Sequence, residues 1–133
     1  MSGPVHKPVA ERKFDMTRLL MACCAACLFA AAPASAHAFL DGAVPRVGSE
    51  IQTPPAEVVL HFTQGVEPDF SRIEVQDNAG ASVTAGAPHS AGDPANFAVA
   101  LKKLTPGVYT VIWHVTSVDT HKTQGKFHFT VTQ

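Results

Sequence analysis

The stretch Val108-Tyr-Thr-Val-Ile-Trp-His-Val115 sets Tyr109, Val111, Trp113 and Val115 on one alternation phase, and that period of two specifies a strand with one buried face. Such a strand needs a second layer to be buried against. Other segments supply it. Residues 57–62 place Val58, Leu60 and Phe62 on one side, residues 71–76 do the same with Ile73 and Val75, and residues 96–101 with Phe97, Val99 and Leu101. Residues 126–131 read as a last strand, 38–44 as a short first one, and 81–84 as a weak one. Turn chemistry separates them: Pro45, Gly48, Pro54 and Pro55, then Asp77-Asn-Ala-Gly80 as a hairpin turn, a Gly/Pro/Ala-rich loop over 85–95, and Leu104-Thr-Pro-Gly107. No window holds a sustained helical period. The chain is therefore expected to be all-β, an antiparallel sandwich of six or seven short strands. Leu104-Thr-Pro-Gly-Val-Tyr109 has the form of a tyrosine corner, which makes Tyr109 structural, and Trp113, in phase with it, is expected to anchor the core.

Residues 1–36 read differently. A basic segment with Lys7, Arg12, Lys13 and Arg18 precedes an apolar run over 19–32, and Ala34-Ser-Ala36 follows as a small-residue cleavage site. These parts in this order form a secretory signal peptide, with Met16 as an alternative start. The apolar run is shorter than the ~20 residues that span a bilayer comfortably, so no stable membrane insertion is expected after cleavage. A lipoprotein site at Cys23 is the weaker alternative, since almost no apolar run precedes it. Cleavage after Ala36 removes Cys23, Cys24 and Cys27 together with Met1, Met16 and Met21, so residues 37–133 contain neither sulfur residue. A domain of this kind holds itself together without disulfides and offers no soft ligand to a metal. It carries six Lys and Arg against nine Asp and Glu, net −3 with histidines neutral, which gives no basic patch for nucleic acid.

The polar segment Thr116-Ser-Val-Asp-Thr-His-Lys-Thr-Gln-Gly125 links the two C-terminal strands and sets Asp119 and His121 two apart. In extended chain, residues i and i+2 point to the same side, so the pair can offer an oxygen and a nitrogen to one point. Cleavage after Ala36 would make His37 the first residue, and a terminal histidine can close its α-amine and its ring on one ion as a chelate. The amine has a reference pKa of about 7.7–8.0, so little proton affinity opposes binding near neutrality. His37, Asp119 and His121 together supply three nitrogens and one carboxylate oxygen. A set of this kind suits Cu(II), and the lack of sulfur argues against Cu(I).

His37, Leu60-His61-Phe62, Leu104-Thr-Pro-Gly-Val-Tyr109 and Trp113 followed by Ser117-Val-Asp119-Thr-His121 and Gly125 resemble the CopC family of periplasmic copper-resistance proteins, over residues 37–133. The resemblance implies a seven-stranded Greek-key β-sandwich of immunoglobulin-like or cupredoxin-like shape. It also implies one Cu(II) per chain held by His37, Asp119 and His121, a periplasmic role in copper tolerance or uptake, and an inner-membrane partner of the CopD type. Some members carry a methionine-rich Cu(I) site in the loop matching residues 77–93, where this chain has only His89, so a Cu(II)-only member is expected. Many carry a glutamate where this chain has Gln64.

His61, His114 and His128 fall in strands and read as surface or hydrogen-bonded histidines, with His114 the one able to approach the site. His89 falls in a loop. Two rival functions remain. One is a copper oxidase or oxygenase, because polysaccharide monooxygenases also hold copper with an amino-terminal histidine and a second histidine. The short chain, the lack of an exposed aromatic platform and a carboxylate in a coordination position oppose it. The other is a metal-free immunoglobulin-like interaction module.

Overall fold

A computed structural model describes residues 3–4 and 38–133. His37, and the expected leader apart from Gly3 and Pro4, lie outside the described residues. The elements in chain order are β1 (Leu40–Val44), β2 (Glu50–Ile51), β3 (Glu57–Phe62), a 3-10 turn (Pro68–Phe70), β4 (Arg72–Gln76), β5 (His89–Ala91), β6 (Asp93–Ala100), β7 (Gly107–Thr116) and β8 (Lys122–Val131). They form two four-stranded sheets, β1-β3-β6-β5 and β2-β8-β7-β4. Only β5–β6 and β7–β8 are joined as neighbours within a sheet, and the other connections pass from one sheet to the other.

The inner faces are those that the alternation marks. Val58, Leu60, Val75, Phe97, Val99 and Val111 are fully buried, and Phe62, Ile73, Tyr109, Trp113 and Val115 nearly so. Each of the larger side chains stabilises the fold by about 1.5–3 kcal/mol through the apolar surface it removes from water. The Tyr109 hydroxyl donates to Thr105 O at 2.7 Å and accepts the Thr105 N–H at 3.2 Å, closing the expected tyrosine corner. Trp113 meets Phe62 edge-on, with ring centroids 5.3 Å apart, and lies over Gly125, its partner across the β7–β8 ladder. A Cβ at position 125 would come within 2.5 Å of Trp113 Cζ2, so the indole fills the space that any side chain there would need. The turn after β4 forms as expected, with Asp77 Oδ1 accepting the N–H groups of Ala79 and Ala81, both at 2.9 Å.

Four details depart from the sequence reading. Eight strands replace six or seven, because the two residues of β2 pair parallel to the end of β8 and β5 pairs with β6. Residues 81–84 are not a strand but make isolated bridges from Ser82 to Gln76 and from Thr84 to Leu101, tying the two sheets together at that point. The 85–95 loop contains β5, whose His89 is exposed and pairs with Ala98 of β6. The last strand begins at Lys122 rather than at 126, which shortens the linking segment to residues 117–121.

Candidate metal site at the turn between β7 and β8

The β7–β8 ladder runs in unbroken register from Gly107↔Val131 to Thr116↔Lys122, and residues 117–121 close it. Thr120 N–H donates to Ser117 O at 2.8 Å and Ser117 N–H to His121 O at 2.9 Å. Thr120 takes φ 70°, the one non-glycine at positive φ among the described residues. A β-branched residue in that region costs about 1–2 kcal/mol, so the turn holds a strained conformation at this point. Asp119 and His121 are thus brought together by a tight turn and not by extended chain, the geometry expected from their spacing alone. The outcome is the same convergence: Asp119 Oδ2 lies 3.1 Å from His121 Nδ1, with side chains 30% and 52% exposed. Two ligands at adjacent positions of an ion bound at about 2.0–2.2 Å stand about 3 Å apart, so the pair has the spacing of neighbouring donors.

Ser117 lies beneath them. It is fully buried, and its hydroxyl donates to Asp119 Oδ1, with His121 O a second acceptor at 3.1 Å. That hydroxyl is the main reason the Asp119 carboxyl is held below its ordinary value of 3.8; partial burial opposes the shift, and the His121 N–H and ring reinforce it. Asp119 therefore presents one oxygen anchored to the fold and the other turned toward His121. Sequence reading includes Ser117 only as part of the motif, since a serine two residues before an acid shows no role of its own until the turn is seen.

Position 37 is outside the described residues, but its neighbour in the chain is fixed close by. Ala38 is fully buried and its carbonyl accepts the Thr123 hydroxyl at 2.8 Å, two residues beyond His121. Phe39 is bound in turn to Thr63, by Phe39 N–H to Thr63 Oγ1 at 3.0 Å and Thr63 N–H to Phe39 O at 2.9 Å. Gly65 O accepts the Val118 N–H at 3.0 Å. Between Thr63 and Gly65 lies Gln64, whose Oε1 is buried without a hydrogen-bond partner among the described residues.

The other histidines stand apart from the pair. His61 Nδ1 meets Asn96 Oδ1 at 2.5 Å on β3 and β6. His114 is exposed on β7, opposite Gln124 and Arg72, and His128 is exposed opposite Thr110. Among the described residues no group of three or more His, Cys, Asp or Glu is gathered as a metal site. Asp119 and His121 are the donor pair that the described residues bring together at this turn.

The CopC domain family matches residues 40–132. The chain is 37% identical over 98 residues to Protein YobA of Escherichia coli, covering 72% of this chain and 79% of that one. It is 32% identical over 98 residues to the copper transport protein CutJ of Bacillus subtilis, of which it spans only 18%. The crystal structure of CopC from Methylosinus trichosporium OB3b superimposes with a TM-score of 0.67 at 34% identity, covering 72% of this chain and 94% of that one. PcoC, described as a methionine-rich copper resistance protein from Escherichia coli, does so with a TM-score of 0.64 at 27% identity, covering 72% and 99%. The fold, the sequence from Leu40 onward and these likenesses agree that the chain belongs to the CopC family.

Proposed function

We propose that the chain is a copper-binding protein of the periplasm, made with a signal peptide over residues 1–36, whose mature domain starts at His37 and holds one Cu(II). The observation that carries this reading is the Asp119 Oδ2 to His121 Nδ1 approach of 3.1 Å, beside a chain segment that Thr123 fixes at Ala38. In this reading Asp119 and His121 give one oxygen and one nitrogen, and His37 gives its α-amine and ring. Ser117 holds the carboxylate in the ionised, oriented state that a cation requires. The family membership and the copper-related names of CutJ, CopC and PcoC support the same assignment.

The domain carries and buffers the ion rather than transforming a substrate. Its donor pair sits on an exposed turn, and the larger described cavities, of about 450 and 490 Å³, are lined by other residues. Residues 37–133 have no methionine, unlike the methionine-rich PcoC, so Cu(II) is the form retained. An inner-membrane protein of the CopD type is the proposed partner. CutJ supports it, since in that protein a match to this domain occupies a small part of a longer copper transport chain.

The test is to place one extra residue before His37 in exported protein and to measure Cu(II) affinity by competition with a chelator. With the α-amine displaced, affinity is expected to fall by more than the ~100-fold that loss of an outer-shell partner produces. Equal affinity in the extended and native forms would overturn the reading.

A further inference from the structure

The outer face of β4, β7 and β8 has a charge unlike the rest of the domain. Side chains alternate across these strands, and the outward set includes Arg72, His114, Lys122, Gln124 and Lys126, all exposed. Register places Arg72 opposite His114 and His114 opposite Gln124, with Lys122 two pairs nearer the turn. Residues 37–133 carry six cations against nine acids, yet three of those cations lie on this one face. The acid among them is Glu74, and its carboxylate accepts Gln76 Nε2 at 2.8 Å.

This face is also concave. A cavity of about 450 Å³ is lined by Phe70, Arg72, Ile112, His114, Lys122 and Gln124 among others. A second, of about 300 Å³, shares Ile112, His114 and Gln124 and reaches Lys126. The two form one groove along β7 and β8. At its turn end stands Phe70, 75% exposed, the most exposed large apolar residue among those described. Glu74 also lines the first cavity, so the groove lining carries Arg72, Lys122 and Lys126 against one acid, with Asp69 and Asp119 near the turn end.

We infer that this groove is a docking site for an acidic, extended segment of another protein, carrying apolar residues that cover Phe70 and Ile112. Cations spread along a shallow groove pair with carboxylates spaced along a chain, and complementary charge speeds encounter and fixes register. The groove ends at Thr116, Lys122 and Thr123, beside the turn that carries Asp119 and His121, so a seated segment is brought to the ion-binding pole. An anionic membrane fits the face less well. Each cation contributes only about fivefold to partitioning on anionic lipid, and a groove offers a flat surface few contacts. The inference names a partner surface for the carrier proposed above, but binding in the groove does not require copper.

The experiment follows backbone amide shifts of metal-free exported protein by NMR during titration with a short peptide of alternating glutamate and leucine. Its lysine–leucine counterpart and phosphatidylglycerol–phosphatidylethanolamine vesicles serve as the other arms. Shifts are expected at Phe70, Arg72, Ile112, His114, Lys122 and Gln124 with the glutamate peptide alone, and R72E/K122E is expected to weaken binding about tenfold or more. Copper affinity of the unsubstituted protein, measured separately, reports on the carrier reading by itself. Shifts scattered over both sheets, an undiminished response in R72E/K122E, no response to the peptide, or a stronger response to vesicles would overturn the inference.

Discussion

β7 ends in two polar devices that use the same chemistry for different ends. At its start the Tyr109 hydroxyl both donates to and accepts from the Thr105 backbone, so its polar groups are spent within the corner itself. At its finish the Ser117 hydroxyl donates to a side chain, Asp119, and leaves that carboxylate's other oxygen facing His121. The first pole closes on itself and the second presents donors outward, from a backbone that includes a threonine at φ 70°. The contrast teaches that a hydroxyl bonded to backbone reports on stability, whereas one bonded to an exposed carboxylate reports on the site that the carboxylate serves.

Three substitutions test that division. Trp113→Ala removes the indole that packs on Phe62 and Gly125, and should cost about 3–5 kcal/mol of unfolding free energy in a denaturant melt. A loss much smaller would mean that the core beneath both poles is organised around something else. Ser117→Ala should weaken Cu(II) binding by about 10–100-fold, the usual effect of losing the group that orients a ligand. It should also bring the Asp119 carboxyl back up toward 3.8 in an NMR titration. The sign follows from the depressed folded value: the hydrogen bonds favouring ionised Asp119 are fully present above the ordinary carboxylate range and are lost as pH falls through the lowered one. Tyr109→Phe should reduce stability by about 1 kcal/mol, shifting the melting temperature by roughly 4–8 °C, and leave copper affinity unchanged. If Ser117→Ala and Tyr109→Phe gave the same pattern of losses, the two poles would be equivalent and the distinction would fail.

The strands with an apolar alternation were legible, since Val58, Leu60, Phe62, Phe97, Val99 and Trp113 all point inward as their spacing requires. Those without it were not. The inward residues at the start of β8 are Thr123 and Gly125, one bonded to Ala38 and the other lying under Trp113, so the buried phase shows no apolar residues to read. β2 is two residues long and exists through its pairing with β8, a long-range contact that no local pattern encodes. β5 is an exposed edge strand that pairs through its backbone. At the site, the Asp119 and His121 pair was visible as a spacing, but the turn that joins them and the Ser117 hydroxyl beneath depend on backbone angles.

The edges of the two sheets have a consequence for a domain that would work outside the cytoplasm. β1 shifts register between Leu40 and Gly42, β5 is three residues long and shifts between Ser90 and Ala91, and β2 is two residues long. Along β4, Val75 O is already taken by the Val83 N–H at 2.8 Å. At β1, β2 and β5 a neighbouring copy therefore finds only short or irregular rims on which to add a strand, which disfavours edge-to-edge pairing there.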